Sequence, residues 1–367
     1  MSALFPQAEQ IVQPAQANVR DSVLDADMRL LRYGRISLLF ASRSLWVTLG
    51  LSLLLICAVG MALLAGSTWL APRQLLTVLQ GQAAPGLQLL VLEFRLPRVV
   101  VGILAGTALG LSGCLIQALT RNRLATPDLL GVADGATLGV FVVLINSTSG
   151  MFGPWWVGPL GALGAVALLL IASGSLDRRG QRLLIVGLAL SSLLRAVTEL
   201  LLSSQELMHA SALYTWSIGN LNGRSYATAL PLAAGLLLLL PLTLLSTRRL
   251  ALLRFDLEIA SGLGLSVRAT QWQALLTAVF LAGLAIGVCG PIAFVALAAP
   301  FIAERLIGGG RIALLGAALV GAILVVGADT LGRVLLTAAE LPVGVICNLL
   351  GGPFLLWLLL SERKGNS

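Results

Sequence analysis

Five charged side chains lie at the ends of apolar runs in this sequence. Arg95 and Arg98 precede one run, and Asp329, Arg333 and Glu340 lie near the end of a later one. An arginine guanidinium can hold a carboxylate through two parallel hydrogen bonds. From the residues alone, we favour pairing of Arg333 with Asp329, one helical turn away, with Arg95 and Arg98 extending to lipid headgroups. The alternative is that the arginines receive acidic groups of another molecule.

Three further charges, Asp134, Arg195 and Glu199, fall inside apolar runs. Charges at membrane depth are usually paired or functional. Arg195 and Glu199 are one helical turn apart, so we expect them to pair with each other. For Asp134 we expect a hydrogen bond between helices, with a proton-linked site as the alternative if the protein is an ion-driven carrier.

The sequence offers little for covalent or metal chemistry. Its four cysteines lie inside apolar runs without metal-ligand spacing, and His209 is the only histidine. These residues predict apolar packing and no bound metal. A nucleotide-binding P-loop needs a lysine in a glycine-rich loop, and the only lysine is Lys364. If ATP drives this protein, the ATPase that binds ATP and Mg²⁺ must be a separate chain, and we expect no catalytic residue and no cofactor here.

The composition is typical of a membrane protein. Of the 367 residues, 57% are hydrophobic and 11% are charged, whereas a soluble domain has about 25% charged residues. The net charge of +8 comes mainly from arginines in short segments between apolar runs. That placement is a topology signal, so we expect no nucleic-acid partner.

The apolar runs predict an all-α, polytopic fold with about ten transmembrane helices. The predicted spans are Leu45–Ala65, Val99–Leu119, Leu129–Ile145, Trp156–Ser173, Leu183–Ser203, Ala229–Leu245, Ala274–Gly290, Pro291–Ile307, Ile312–Leu331 and Val343–Leu360. Arginines in alternate loops place both termini in the cytoplasm. Residues 1–43 are predicted to be a cytoplasmic N-terminal tail with a short helix around Val23–Leu39, and residues 44–362 a ten-helix domain.

Small residues in the second span predict close helix packing and an internal repeat. Gly102, Gly106, Gly110 and Gly113 place small residues along one helix, where a neighbouring backbone can approach. The segment Leu104–Gly113 matches Leu281–Gly290 in its small residues. These two spans run in opposite directions, so spans 2–5 and 7–10 are predicted to form an inverted repeat, which is typical of transporters.

The interval at about 250–270 is a long polar segment on the predicted cytoplasmic side. Glu258 to Gly264 is predicted to form a short helix ended by a glycine cap. Such a helix can bind in a groove of a partner, and a plain connecting loop is the equal alternative. The residues concerned are Asp256, Glu258, Ala260, Gly262 and Gly264.

Several motifs, in order from about Val91 to the last span, resemble the FecCD family, the permease subunits of ABC importers for iron-siderophore and cobalamin uptake. They are Arg95-Leu-Pro-Arg98, Asn122-Arg-Leu-Ala-Thr-Pro127, Trp216-Ser-Ile-Gly219, Gly290-Pro-Ile-Ala-Phe294, Gly327-Ala-Asp329, Glu340-Leu-Pro-Val-Gly344 and Gly352-Pro-Phe354. Residues 1–43 fall outside the resemblance.

The resemblance implies a permease in a bacterial inner membrane that translocates a ferric siderophore. It implies four kinds of partner: a second permease subunit, identical or paralogous, two ATP-binding subunits, a periplasmic siderophore-binding protein, and membrane lipid. Cobalamin or haem is the alternative cargo, and a proton-coupled secondary transporter or a receptor or channel is the alternative class.

The resemblance also implies roles for particular residues. Arginines at the positions of Arg95, Arg98 and Arg333 face outward in such permeases and receive glutamates of the binding protein, which makes docking the favoured interpretation. The loop matched by Asn122 and Leu124 is the family's cytoplasmic gate, although an ordinary tight turn is an equal alternative. The segment with Asp256, Glu258, Ala260, Gly262 and Gly264 matches the helices that couple to the ATPase.

Overall fold

The computed structural model describes residues 28–33, 36–66, 68–146, 154–174, 180–253, 257–308, 312–336 and 340–363. From Ser42 onward, the described residues form α-helices with short connections. They are α1 Ser42–Leu64, α2 Pro72–Leu79, α3 Pro85–Leu89, α4 Leu96–Thr120, α5 Val132–Asn146, α6 Val157–Ser173, α7 Gly180–Ser203, α8 Leu207–Ser217, α9 Tyr226–Leu252, α10 Leu257–Gly262, α11 Val267–Cys289, α12 Val295–Ile307, α13 Leu314–Val334 and α14 Val343–Arg363.

The predicted all-α membrane fold is confirmed. Within the described residues, six helical segments are long and apolar enough to cross a membrane: Arg43–Leu64, Pro85–Thr120, Ile185–Ser203, Tyr226–Leu252, Val267–Cys289 and Leu314–Val334. Three shorter apolar helices, α5, α6 and the first part of α14, coincide with predicted spans, as does the 13-residue α12. Each of the ten predicted spans therefore corresponds to a helix, while ten membrane crossings stay a prediction.

A β-hairpin precedes the first helix. Strands β1 Met28–Tyr33 and β2 Ile36–Ala41 pair antiparallel, with Met28 opposite Ala41. The predicted helix around Val23–Leu39 is wrong for these residues. Tyr33, Ile36 and Phe40 are aromatic or β-branched residues, which favour strands.

Helix α4 is preceded by a continuous helical segment that contains a wider, π-helical turn. A π-helical segment, Leu90–Arg95, joins α3 to α4 without a break. Pro97 in the first turn of α4 has no N–H, and its ring disfavours a regular α-helical bond to the residue four positions earlier. A π-helical turn relieves this conflict, and such turns often lie at functional sites. It sets the position of Arg95 relative to Arg98.

Glycines bring two pairs of helices into backbone contact. A Cβ atom on Gly106 would lie 2.8 Å from the Cα atom of Ala322 on α13, and Gly321 faces Gly106 in return. On α11, a Cβ atom on Gly283 would lie 2.7 Å from the Cα atom of Pro159 on α6. The second predicted span, α4, thus packs on the ninth, α13, and the seventh, α11, packs on the fourth, α6. An inverted repeat of spans 2–5 and 7–10 requires these two contacts to be equivalent.

The other glycines of α4 differ in their surroundings. Gly110 faces the carbonyl of Ala317 on α13, and Gly113 faces the carbonyl of Ala296 on α12. Gly102 meets only side-chain atoms, the nearest being Leu221 Cδ1 at 3.4 Å, which is ordinary contact for a methyl group. Helices α4, α11 and α13 are mostly buried in the bundle, whereas α1, α7 and α9 lie at its periphery.

Candidate functional site

Arg98, in the first turn of α4, is the centre of a charge network at one end of the bundle. Its Nε atom lies 3.0 Å from each carboxylate oxygen of Asp329 on α13, and its Nη2 atom donates to Asp329 Oδ1 at 2.8 Å. Its Nη1 atom donates to Glu340 Oε2 at 2.7 Å. One guanidinium therefore joins α4 to both α13 and the segment that leads into α14.

Asp329 is shared between two arginines. Arg333, one turn further along α13, places its Nε atom 3.2 Å from Asp329 Oδ2, and its Nη1 atom donates to the carbonyl of Ala65 at 3.2 Å. The side chains of Asp329 and Arg333 are each only 3% exposed. Buried charges are tolerated when they are paired and hydrogen bonded, so this carboxylate is required by both cations.

Arg95 is satisfied by backbone carbonyls. Its Nη1 atom donates to Leu63 and Leu64 at 2.7 and 3.1 Å, and its Nη2 atom donates to Thr68 at 2.6 Å. These carbonyls lie at and beyond the end of α1, where a helix leaves acceptors unpaired. Arg95 thus stabilises the end of α1, and it forms no ion pair with a carboxylate of the described residues.

The three arginines predicted to dock a partner are therefore together, and all are at most 8% exposed. The expected pair of Arg333 with Asp329 is present. Arg95 and Arg98 bind protein groups, so the expectation that they extend to headgroups is wrong for this conformation. Docking on Arg95, Arg98 and Arg333 stays a prediction.

A cavity of about 430 Å³ opens beside this network. Its lining includes four arginines and two glutamates: Arg95, Arg98, Arg224, Arg333, Glu93 and Glu340. Arg224 is not among the site residues that the sequence predicts. The pKa of the Arg224 guanidinium is lowered from its ordinary value because the lowering by burial exceeds the opposing effect of Cys289.

The predicted gate loop lies at the opposite end of α4. Arg121 ends the helix in a left-handed conformation, and its side chain donates to the carbonyl of Leu253 after α9. Asn122 Oδ1 accepts the N–H of Leu124 at 2.9 Å, which is a local turn of the kind asparagine favours. Arg123 pairs with Glu304 of α12 at 3.1 Å. The geometry is that of a fixed turn, and gating by Asn122 and Leu124 stays a prediction.

The predicted coupling segment contains the short helix α10. The N–H groups of Leu263 and Leu265 donate to Ile259 and Ala260, and Gly264 adopts a φ of +82° that suits glycine. Ala260 is buried, and Gly262 has open space around it. Asp256 lies outside the described residues, and for Glu258 only the backbone is described. The apolar side chains of Ile259 and Leu263 are exposed, so this helix presents a surface on which a partner could pack.

A second cavity, of about 480 Å³, lies between α5, α7 and α14, and its lining includes four charged side chains: Asp128, Asp134, Arg195 and Glu199. Arg195 on α7 pairs with Asp134 on α5 at 3.4 Å, so the predicted pairing of Arg195 with Glu199 is wrong. The inter-helix bond expected for Asp134 is present. Arg195 and Glu199 both lie within the candidate span Ile185–Ser203, and the Arg195 side chain is 70% exposed.

Asp128 lies at the edge of this cavity, in a short 3₁₀ turn between α4 and α5. The pKa of its carboxyl is raised from 3.8 to about 6, first by burial and then by the negative charge of Asp134, while Arg195 opposes the rise. The folded protein therefore binds the proton more tightly than the unfolded chain. The resulting stabilisation is complete below the unfolded pKa and is lost as the pH rises through about 6.

We expect Asp128→Asn to be more stable than the wild type at pH 8 because it removes a carboxylate that folding desolvates. The gain in stability should shrink between pH 6 and pH 4 and disappear below pH 4. Thermal unfolding of the purified protein in detergent at pH 4, 6 and 8 measures this gain. Glu199→Gln, an exposed carboxylate of the same cavity, is the matched control, and an equal gain in that variant would contradict the assignment to burial.

These features define the class of the protein as a multi-pass α-helical membrane protein with charged side chains in a cavity between its helices. The FecCD transport family model matches residues 53–361, and the chain therefore belongs to this family. The resemblance predicted from the motifs is confirmed.

Curated relatives cover most of the chain. It is 36% identical over 343 residues to the ferric enterobactin transport system permease protein FepG of Escherichia coli K12, covering 89% of this chain and 99% of that protein. It is 36% identical to the achromobactin permease CbrC of Dickeya dadantii (85% of this chain, 91% of CbrC). It is 37% identical to the hemin permease HmuU of Yersinia pestis (75% of this chain, 84% of HmuU).

A solved structure shares the fold. It is described as an inward-facing conformation of a metal-chelate-type ABC transporter. The two chains superpose with a TM-score of 0.74 at 25% identity, covering 86% of this chain and 99% of the other.

Proposed function

We propose that this chain is the permease subunit of a binding-protein-dependent ABC importer that moves a ferric siderophore across the bacterial inner membrane. Membership of the FecCD family supports the permease role. Two of the relatives above are named for ferric enterobactin and achromobactin, which supports iron chelates as the cargo.

The observation that carries this proposal is the set of charged side chains in the cavity between α5, α7 and α14. A charged side chain facing lipid costs about 2.5–3.5 kcal/mol on insertion scales, so such residues face water or protein. In the middle parts of α1 and α9, from Leu45 to Met61 and from Leu230 to Leu245, the exposed residues are apolar, as a lipid-facing surface requires. The face of α7 that carries Arg195 and Glu199 is charged, unlike those apolar surfaces. It suits a water-filled pathway shared with a second permease subunit.

The remaining partners follow from the ends of the bundle. The ATP-binding subunits, which hold ATP and Mg²⁺, would pack on α10 through exposed groups such as Ile259 and Leu263. The periplasmic binding protein would dock at the arginine-lined cavity at the other end. In this arrangement both termini are cytoplasmic, residues 1–43 form a tail, and residues 44–362 form the permease domain with its coupling segment at about 250–270.

The cycle needs no covalent chemistry in this chain. ATP binding and hydrolysis on the partner supply the free-energy difference between inward-facing and outward-facing states, and the coupling segment transmits it. The turn at Asn122 and Leu124 would close the cytoplasmic mouth in one of these states.

Reconstitution tests this proposal directly. The permease, its ATPase subunits and its binding protein are placed in liposomes, and uptake of ⁵⁵Fe-labelled siderophore is measured. We expect uptake that requires ATP and the binding protein. Uptake that follows a pH gradient without nucleotide would instead identify a secondary transporter.

Haem is the second candidate cargo because the hemin permease HmuU is 37% identical to this chain. The same liposomes supplied with hemin or cobalamin distinguish these cargoes from iron siderophores. Preference for hemin would replace the siderophore assignment and keep the permease role.

A further inference from the structure

Arg98 has two acidic partners that differ in their burial. The Asp329 side chain is 3% exposed, whereas that of Glu340 is 37% exposed. Asp329 accepts hydrogen bonds from Nε and Nη2, which form one edge of the guanidinium, whereas Glu340 accepts a hydrogen bond only from Nη1. An incoming carboxylate could replace Glu340 at Nη1 without disturbing the buried pair with Asp329.

The backbone on the C-terminal side of Glu340 is held by hydrogen bonds that do not involve the Glu340 side chain. The N–H of Leu341 donates to the carbonyl of Gly332 at 3.0 Å, and the N–H of Gly344 donates to that of Gly219 at 3.1 Å. Glu340 could therefore leave Arg98 by side-chain rotation alone. The adjoining cavity of about 430 Å³ has room for the displaced group and for a visiting acidic side chain.

The other two arginines of the network offer no comparable position. Arg95 is held by the carbonyls of Leu63, Leu64 and Thr68. Arg333 is held by Asp329 and the carbonyl of Ala65, and its side chain is only 3% exposed. Among these three arginines, Nη1 of Arg98 has the most exposed carboxylate partner.

We infer that Glu340 is a built-in competitor for Arg98, occupying in the undocked state the position that a carboxylate of the soluble binding protein takes on docking. This inference rests on the docking surface proposed above. Docking is then an exchange of one ion pair for another, so the net gain is small and the binding protein can be released after each cycle.

The test is Glu340→Gln, which keeps the shape of the side chain and removes the competing charge. The full transporter in lipid nanodiscs is titrated onto its immobilised substrate-binding protein. We expect the Kd to fall about fivefold, which corresponds to about 1 kcal/mol, a typical upper value for a partly exposed ion pair. An unchanged or weaker affinity would overturn the inference.

Glu93→Gln is the matched control. Glu93 lines the same cavity but has no ion pair with Arg98 among the described residues. Loss of its charge changes the field at the cavity without freeing Arg98. Equal tightening in both variants would show a general charge effect and would contradict exchange at Arg98.

A third variant separates failure of the inference from failure of the docking surface. Glu93→Cys, in a background where the exposed Cys57 is replaced by serine, is labelled with a bulky thiol reagent. Binding that persists after labelling would place the docking surface elsewhere and remove both ideas. If labelling blocks binding and Glu340→Gln does not tighten it, only the competitor role fails. Uptake in liposomes tests the permease role separately.

Discussion

Asp329→Asn is expected to lower the free energy of unfolding by about 3–5 kcal/mol, the usual effect of breaking a buried ion pair from one side. The neutral side chain leaves Arg333 without its carboxylate and removes the negative charge that faces Nε and Nη2 of Arg98. Both guanidinium groups remain buried, so water cannot replace the lost charge. Thermal unfolding of the purified protein in detergent, with unfolding in increasing SDS as a second measurement, should show the loss.

Glu340→Gln is the control for this prediction because it removes the other carboxylate of Arg98. The Glu340 side chain is much more exposed than that of Asp329, so its loss should cost less than about 1 kcal/mol. Similar losses in the two variants would show that burial does not distinguish the two carboxylates. That result would contradict the description of Asp329 as the fixed centre of the network.

Gly106→Ala is expected to destabilise the bundle by about 1–3 kcal/mol, the range for overpacking in a well-packed core. The added methyl group would meet the backbone of Gly321 and Ala322, and neither can rotate away as a side chain could. Helices α4 and α13 would have to separate. Because α13 also carries Asp329, we expect lower transport as well as a lower unfolding temperature.

Gly102→Ala, one turn earlier on the same helix, is the matched control. Its methyl group would lie 3.4 Å or more from side-chain atoms, and alanine is favoured over glycine within a helix by about 0.5–1 kcal/mol. We expect this variant to be as stable as the wild type or slightly more stable. A comparable loss at both positions would mean that the helix tolerates no alanine for reasons other than contact with α13.

The sequence predicts the helices of this fold well because apolar runs of the required length leave few alternatives in a membrane. For α4, the predicted Val99–Leu119 lies within the observed Leu96–Thr120. The hairpin at Met28–Ala41 was missed because mixed polar and apolar residues fit either element at that length. The glycine spacing predicts a packed face, but only the neighbouring helix decides that Gly106 is in backbone contact and Gly102 is not.

Pairing of charges is harder to predict, since sequence reasoning favours partners one helical turn apart. That rule succeeds for Arg333 with Asp329 and fails for Arg195, whose partner is 61 residues away on another helix. The contact of Arg98 with Glu340 spans 242 residues. Such partners depend on how helices pack across the bundle, which local spacing does not encode.

The reciprocal packing of α4 on α13 and of α11 on α6 has a consequence for biogenesis. When the first half of the chain has left the ribosome, the glycine face of α4 has no packing partner. It stays exposed to lipid or to the translocon until α13 is inserted. The two halves therefore mature together, and a nascent chain arrested before α13 would be a substrate for membrane quality control.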